Sequence, residues 1–287
     1  ACGTCPACSE GHQNLCDLGM GLLSGLAISD GTYRIQARGQ NVIPMCLLGT
    51  FSPFMTVHES SVVKIDKDIP FEVAALVGCG VPTGWGSATR VADVQPGESV
   101  VIMGIGGVGM SALQGAVASG ARQIFAIDPV PWKREQALKF GATHAFNPAA
   151  TDAAAEIMAL TGGRGVDIVL DMVSGDYVPR NLKCLVEDGR HVTIAVLGGA
   201  KAEINMAQLM VRRLTMTGST MRARSDSFKA LLAREIRSNA WPLFEDGTLA
   251  PVMDRRFLLR EAAAAHARME AGEHIGKIVL EVEGKNS

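Results

Sequence analysis

The stretch "SVVIMGIGGVGMSALQGAVASG" (residues 99–120) decides the fold. Its first seven residues are a β-branched, apolar run, the pattern of a strand buried on both faces. Gly104, Gly106 and Gly109 follow as G-x-G-x-x-G, with Gly107 among them, and then helical spacing runs to a stop at Gly120. A glycine triplet between a strand and a helix has a physical reading. The first glycine permits the tight turn, the second lets backbone approach a pyrophosphate, and the third lets helix and strand pack closely. Phosphates then rest on the helix N-terminus, where free N–H groups and the helix dipole favour negative charge. Val108 lies within this loop. Asp128 ends the next strand, 19 residues beyond Gly109. An acid there accepts hydrogen bonds from ribose hydroxyls and repels a 2′-phosphate, which favours NAD over NADP. Lys133 lies five residues further on, within reach of the same ribose.

Outward from this motif the chain alternates. Strands are expected at "QIFAID" (123–128), "VDIVLDM" (166–172), "HVTIAV" (191–196) and "LTMTGS" (214–219). Between them "PWKREQALKFG", "DAAAEIMALTGG", "VPRNLKCLVEDG" and "MAQLMVRR" carry helical spacing. Regular strand–helix alternation with apolar strands implies right-handed crossovers and a buried parallel sheet, an α/β doubly wound fold. Residues 1–80 differ: they are glycine-rich and irregular, with a short strand at "SVVKID" (61–66). The C-terminal part carries helices over Ser225–Trp241 and Glu261–Ala271 and a last strand "KIVLEV". The expected division is 1–80, 81–222 for the dinucleotide-binding domain, and 223–287.

The chain opens "ACGTCPACSEGHQNLC", placing Cys2, Cys5, Cys8 and Cys16 within sixteen residues. The spacing C-x2-C-x2-C-x7-C lets four thiolates close a tetrahedron around one zinc ion. Such a shell has no open position, so the site is read as structural; His12, inside the loop, is a weaker alternative ligand. Seven cysteines in 287 residues, four of them clustered, suit metal binding better than a disulfide framework. A net charge of −2 argues against nucleic acid or an anionic membrane surface as partner. There is no apolar run long enough to span a bilayer and no charged-then-apolar leader, so a cytoplasmic protein is expected.

These residues resemble the zinc-containing medium-chain alcohol dehydrogenases. The cysteine cluster is similar to that family's structural zinc lobe. "GCGVPTGWGSATRVADVQPGESVVIMGIGGVGMSALQGA" resembles the segment joining the catalytic and coenzyme domains, and "AIDPVPWKREQALKFGATHAFNP" the second βαβ unit. Up to about Pro148 the likeness is to actinobacterial-type, nicotinoprotein-like or thiol-linked alcohol and formaldehyde dehydrogenases. Residues 160–282 look more like the zinc-independent quinone oxidoreductase branch of the same superfamily. The resemblance implies a Rossmann domain plus the remnant of a GroES-like, mostly β catalytic domain. It assigns Cys79 as one ligand of a catalytic zinc, Thr83 to a position beside the nicotinamide, and Val108 to one under the cofactor backbone. Gly104, Gly106, Gly107, Gly109, Asp128 and Lys133 match the cofactor site.

The implied activity is hydride transfer between an alcohol or aldehyde and NAD, in a homodimer or homotetramer. The family's other catalytic-zinc ligands would stand before residue 1, so the chain is expected to lack an N-terminal part. His58, His144, His191, His266 and His274 have no Cys or Glu partner at ligand spacing, and Cys46 and Cys184 read as packing residues. Two alternatives remain: a zinc-independent NAD(P)H quinone or enone oxidoreductase, and an inactive dinucleotide-binding fragment.

Overall fold

The computed structural model describes residues 2–283, apart from 13–14, 18–25, 28–29, 45–47, 56–63, 66, 68, 243–251, 273 and 275. His58, Cys46 and most of the expected strand at 61–66 lie outside the described residues. In the N-terminal part, α1 (Pro6–Ser9) sits within the cysteine lobe, and β1 (Ile35–Ala37) and β2 (Gln40–Val42) pair antiparallel. Two helices then lead into the sheet: α2 (Phe71–Val77) and α3 (Gly80–Gly86), the latter extended by a π turn over Ser87–Val91.

The centre is a six-stranded, wholly parallel sheet. Its strands are β3 (Ser99–Met103), β4 (Gln123–Ile127), β5 (His144–Phe146), β6 (Val166–Asp171), β7 (Leu185–Thr193) and β8 (Thr215–Gly218). The spatial order β5-β4-β3-β6-β7-β8 is the doubly wound order, in which the chain reverses direction across the sheet between β3 and β6. Helices α4 (Gly107–Ala118), α5 (Pro131–Lys139), α6 (Ala153–Leu160), α7 (Val178–Lys183) and α8 (Met206–Val211) make the crossovers. Every residue of β3 and β6 is buried, and two apolar clusters fill the two faces. One gathers Val100, Ile102, Leu113 and Ile124; the other gathers Val101, Phe125, Val169 and Leu182.

Helix α3 crosses α4 at a spacing only glycine permits. A Cβ at Gly84 would meet the Val108 carbonyl at 2.2 Å. Trp85, 2% exposed, is held there by its indole N–H, which donates to Glu235 Oε1 at 3.1 Å; Arg90 pairs with the same carboxylate. Glu235 ends α9 (Asp226–Glu235), which continues through a π turn to Ala240. The chain closes with β9 (Met253–Leu258), α10 (Ala262–Glu270) and β10 (Lys277–Glu281), whose two strands pair in parallel.

Two expectations need correction. The helix expected over 178–189 ends at Lys183, and the strand expected at 191–196 begins at Leu185 and ends at Thr193. Leu185 is fully buried and pairs with Val166, whose N–H donates to the Cys184 carbonyl at 2.8 Å. The ladder then skips Val186–Gly189, where Asp188 has φ +61°, and resumes at Arg190. Sheet pairing of one apolar side chain thus outweighs the local helical spacing. His144 follows the turn after α5 and opens β5, its ring stacked on Phe125 at 5.0 Å between centroids.

Candidate functional site

The glycine loop sits where the doubly wound order reverses, at the C-terminal ends of β3 and β6. Gly104 turns the chain with φ +92°, a conformation strained for other residues, and its N–H donates to the Ile127 carbonyl at 2.8 Å. At Gly109 a Cβ would lie 1.9 Å from the Gly104 carbonyl oxygen, so only glycine lets α4 start this close to β3. At Gly106, the N-cap, the Cβ direction is open for 4 Å. No side chain caps α4, so its first N–H groups have no intrahelical partner and no side-chain acceptor. These features fit a pyrophosphate: open space above the second glycine, and an uncapped helix terminus with its positive dipole end.

Asp128 stands beside the loop, 5% exposed. Its Oδ2 accepts from the Ile105 N–H and its Oδ1 from the Val130 N–H, both at 2.9 Å. The acid therefore fastens the glycine loop to the end of β4, and each oxygen retains a lone-pair direction for a further donor. Arg134 reinforces this corner by donating to the Asp128 and Pro129 carbonyls at 2.7 and 2.8 Å. Lys133 is half-buried on the first turn of α5. Together with burial, its charge lowers the pKa of His274.

Lys277 was not singled out by the sequence. It opens β10, yet its Cε lies 3.3 Å from where a Gly107 Cβ would be and 3.2 Å from that of Gly80. Gly276 has φ +70°, and a Cβ there would strike the Val252 carbonyl at 1.9 Å, so a glycine carries the chain into this position. A cation is thereby added at the N-terminus of α4. Its only sequence sign is a lone lysine after a glycine, 168 residues from Gly109. Beneath it a narrow cleft is lined by Leu76, Val81, Met110, Ser111, Gln114 and Val252. Thr83 is half-buried on α3; its N–H donates to the Cys79 carbonyl at 3.0 Å and its carbonyl accepts from Ser87 Oγ at 2.6 Å.

The four lobe cysteines are brought together. One ligand atom from each of Cys2, Cys5, Cys8 and Cys16 lies within 4.8 Å of all the others. Four sulfurs bound to zinc at about 2.3 Å stand about 3.8 Å apart, so a small contraction completes the tetrahedron. The Cys2 and Cys8 sulfurs are already 4.0 Å apart. Backbone N–H groups of Thr4 and Cys5 donate to the Cys2 sulfur at 3.4 and 3.3 Å, and that of Cys16's neighbour Asp17 donates to Cys5 at 3.5 Å. The Thr4 and Cys5 hydrogen bonds pull the Cys2 thiol down to about 6, while burial pushes Cys8 up to about 11. The donor set fits zinc. His12 is exposed on the lobe surface.

Cys79 is different. It is exposed, at the N-terminal boundary of α3, and among the described residues no His, Asp, Glu or other Cys joins it in a ligand-sized group. The side chains described do not make a metal site there. Cys184 is buried in the second core cluster, and burial pushes its thiol up to about 12. His266 is exposed on α10, near Phe51. His191 is fully buried against Asp171.

Comparison with known proteins accords with this arrangement. The zinc-binding dehydrogenase family matches residues 107–237. The chain is 37% identical to an NDMA-dependent alcohol dehydrogenase from Amycolatopsis methanolica, over 97% of this chain and 75% of that protein. The chain belongs to the zinc-containing, medium-chain alcohol dehydrogenase family. It is also 53% identical to alcohol dehydrogenase B of Mycobacterium tuberculosis over 223 residues, 76% of this chain and 60% of that protein. The chain thus spans 60% of the length of this mycobacterial relative. Benzyl alcohol dehydrogenase from Acinetobacter calcoaceticus superposes with a TM-score of 0.81 at 26% identity, covering 98% of this chain and 75% of that one. No helix among the described residues is long and apolar enough to cross a membrane.

Proposed function

We propose that this chain carries the coenzyme half of an NAD-dependent alcohol dehydrogenase, an oxidoreductase moving a hydride between an alcohol or aldehyde and NAD. The carrying observation is the open cradle at Gly106 on the uncapped N-terminus of α4, with Asp128 beside it. Gly104, Gly107, Val108 and Gly109 supply the turn and the helix start that hold the pyrophosphate, and Lys277 adds a positive charge there. Asp128 receives the adenosine ribose hydroxyls and disfavours a 2′-phosphate; Lys133 flanks the same ribose. Thr83, on α3, stands on the nicotinamide side. Bound there, NAD supplies a hydride acceptor at its ring, while the protein supplies position and electrostatics. The family likeness and this site support the reading. Isothermal calorimetry with NADH and NADPH tests it: NADH binding, with NADPH at least tenfold weaker, is the expected result.

In the same reading Cys2, Cys5, Cys8 and Cys16 hold one structural zinc, which cross-links the lobe. Residues 1–80 and 223–287 belong to the catalytic domain and 81–222 to the coenzyme domain. β8 is the outer strand of the sheet and exposed along its length, which supports pairing with a second copy in a dimer or tetramer. The six described cysteines form no disulfide with one another, which suits the reducing cytoplasm.

That no ligand-sized group forms around Cys79 among the described residues favours a second reading, in which NAD(P)H reduces a quinone or enone with no catalytic metal. Turnover of an enone by the chelator-treated protein, with no alcohol oxidation, would select it.

A further inference from the structure

The wall of the crevice opposite the glycine loop is held by a carboxylate to which the nucleotide reading gives no role. Asp171 ends β6 and is fully buried. Its Oδ1 accepts from the backbone N–H groups of Val173 and Ser174, each at 2.8 Å. Its Oδ2 accepts from Asn181 Nδ2 at 2.9 Å and from His191 Nε2 at 3.1 Å. Four donors converge on one carboxylate, which sets its rotamer and its position. Because the carboxylate accepts here, His191 carries its proton on Nε2; its Nδ1 is buried without a partner among the described residues.

What the carboxylate clamps is a strained turn. Ser174 has φ +62° and ψ −151°, a region disfavoured for any residue with a Cβ. The turn is tied on its far side too: Gly198 N–H donates to the Val173 carbonyl at 2.7 Å, and Ser174 bridges Gly199. On its near side it meets the glycine loop. Met172 N–H donates to the Met103 carbonyl at 3.1 Å, and Val173 Cγ2 lies 3.4 Å from where a Gly104 Cβ would be. Met172–Ser174 therefore forms the second wall of the crevice, from the β6–β8 half of the sheet. In a doubly wound domain, one half takes each mononucleotide. Asp128 stands in the β3–β5 half and Asp171 in the other.

We infer that Asp171, oriented by His191 and Asn181, is a positioning residue for the nicotinamide half of the cofactor: it holds Met172–Ser174 in the strained shape against which that half packs. This rests on the dinucleotide reading of the site. Asn181 and His191 serve it from α7 and β7, so the turn's shape depends on three elements at once.

The test compares NADH with ADP, which lacks the nicotinamide half, by calorimetry on the full 287-residue chain. Asp171→Ala should weaken NADH at least tenfold and leave ADP within twofold. Asp171→Asn should restore NADH to within threefold of the parent, since its carbonyl oxygen still accepts from the Val173 and Ser174 N–H groups while His191 and Asn181 can each present an acceptor to its amide. If Asp171→Ala fails to fold, His191→Leu reads the same split, with NADH weakened three- to fivefold and ADP unchanged. Equal loss of both ligands, or loss of neither, overturns the inference. A parent chain that binds neither NADH nor ADP overturns the dinucleotide reading itself, and is distinguishable from a selective failure in the variants.

Discussion

Adding one methyl group at each of two glycines of the same loop should have opposite consequences. At Gly109 a Cβ would fall 1.9 Å from the Gly104 oxygen, 3.0 Å from the Gly104 carbonyl carbon and 2.9 Å from Met172 Cε. The methionine end can swing away; the backbone carbonyl cannot. An ordinary contact needs a separation above about 3 Å, so α4 must retreat from β3 by roughly 1 Å. That movement is opposed by α3, whose Gly84 sits against the Val108 carbonyl and Ala112 N. Overpacking of this kind costs about 1–3 kcal/mol where side chains yield, and a backbone clash places Gly109→Ala at or beyond the upper figure. At about 2–4 °C per kcal/mol for a domain of this size, the melting point should fall by roughly 6–12 °C. At Gly106 the added Cβ meets nothing within 4 Å, and the backbone, at φ −85° and ψ −168°, accepts alanine. Gly106→Ala should therefore melt within about 2 °C of the parent, a change of roughly 0.5 kcal/mol or less. Its methyl group occupies the space assigned to the pyrophosphate, so NADH affinity should drop at least tenfold. Thermal melts and NADH fluorescence titrations on the two variants read both effects. Gly106→Ala binding NADH as the parent does would refute the placement of the pyrophosphate, and Gly109→Ala melting as the parent does would refute the packing argument.

Asp128→Ala should weaken NADH at least tenfold and narrow its advantage over NADPH. It should also cost about 1–3 kcal/mol in the free protein, because the Ile105 and Val130 N–H groups lose their acceptor; NADH and NADPH titrations with a denaturant melt check both. The four-cysteine lobe should hold close to one zinc per chain after metal washing, and Cys8→Ala should lower that content and shift the lobe's melting, read by metal analysis and calorimetry. Burial pushes the Asp167 carboxyl upward, but hydrogen bonds from Arg164 and Ser99 outweigh it and hold the pKa below the ordinary range. A depressed folded-state pKa contributes stability above the unfolded value of about 3.9, lost as pH falls through the folded one. Asp167→Asn should therefore be less stable than the parent by about 1–3 kcal/mol at pH 7, and the gap should close progressively below about pH 4, measured by urea unfolding across pH.

Much of the candidate coenzyme site is local, and for that reason it is legible in the sequence. A buried strand, a glycine turn and a helix start occupy twenty-two consecutive residues, and the Gly104, Gly106 and Gly109 roles follow from sterics within that span. The cysteine lobe is equally local, since four ligands within sixteen residues need only a short loop to converge. Apolar alternation was enough for the parallel sheet. It was not enough for the edges of β7, where the pairing of Leu185 with Val166 overrides a helical pattern.

What the tertiary structure alone decided are pairings between residues far apart in the chain. Lys277 reaches Gly107 because β10 returns across the end of α4. Trp85 and Arg90 meet Glu235 across 150 and 145 residues of sequence. His191 meets Asp171 because parallel register sets His191 beside Val169, two residues before Asp171 and on the same face of the sheet. Asp128 is legible as an acid at a strand end, but not as the clamp on Ile105. A lone charged or titratable side chain has no periodicity and no fixed spacing to its partner. Its role is defined by what the fold brings to within about 3 Å of it, and that distance is a property of packing.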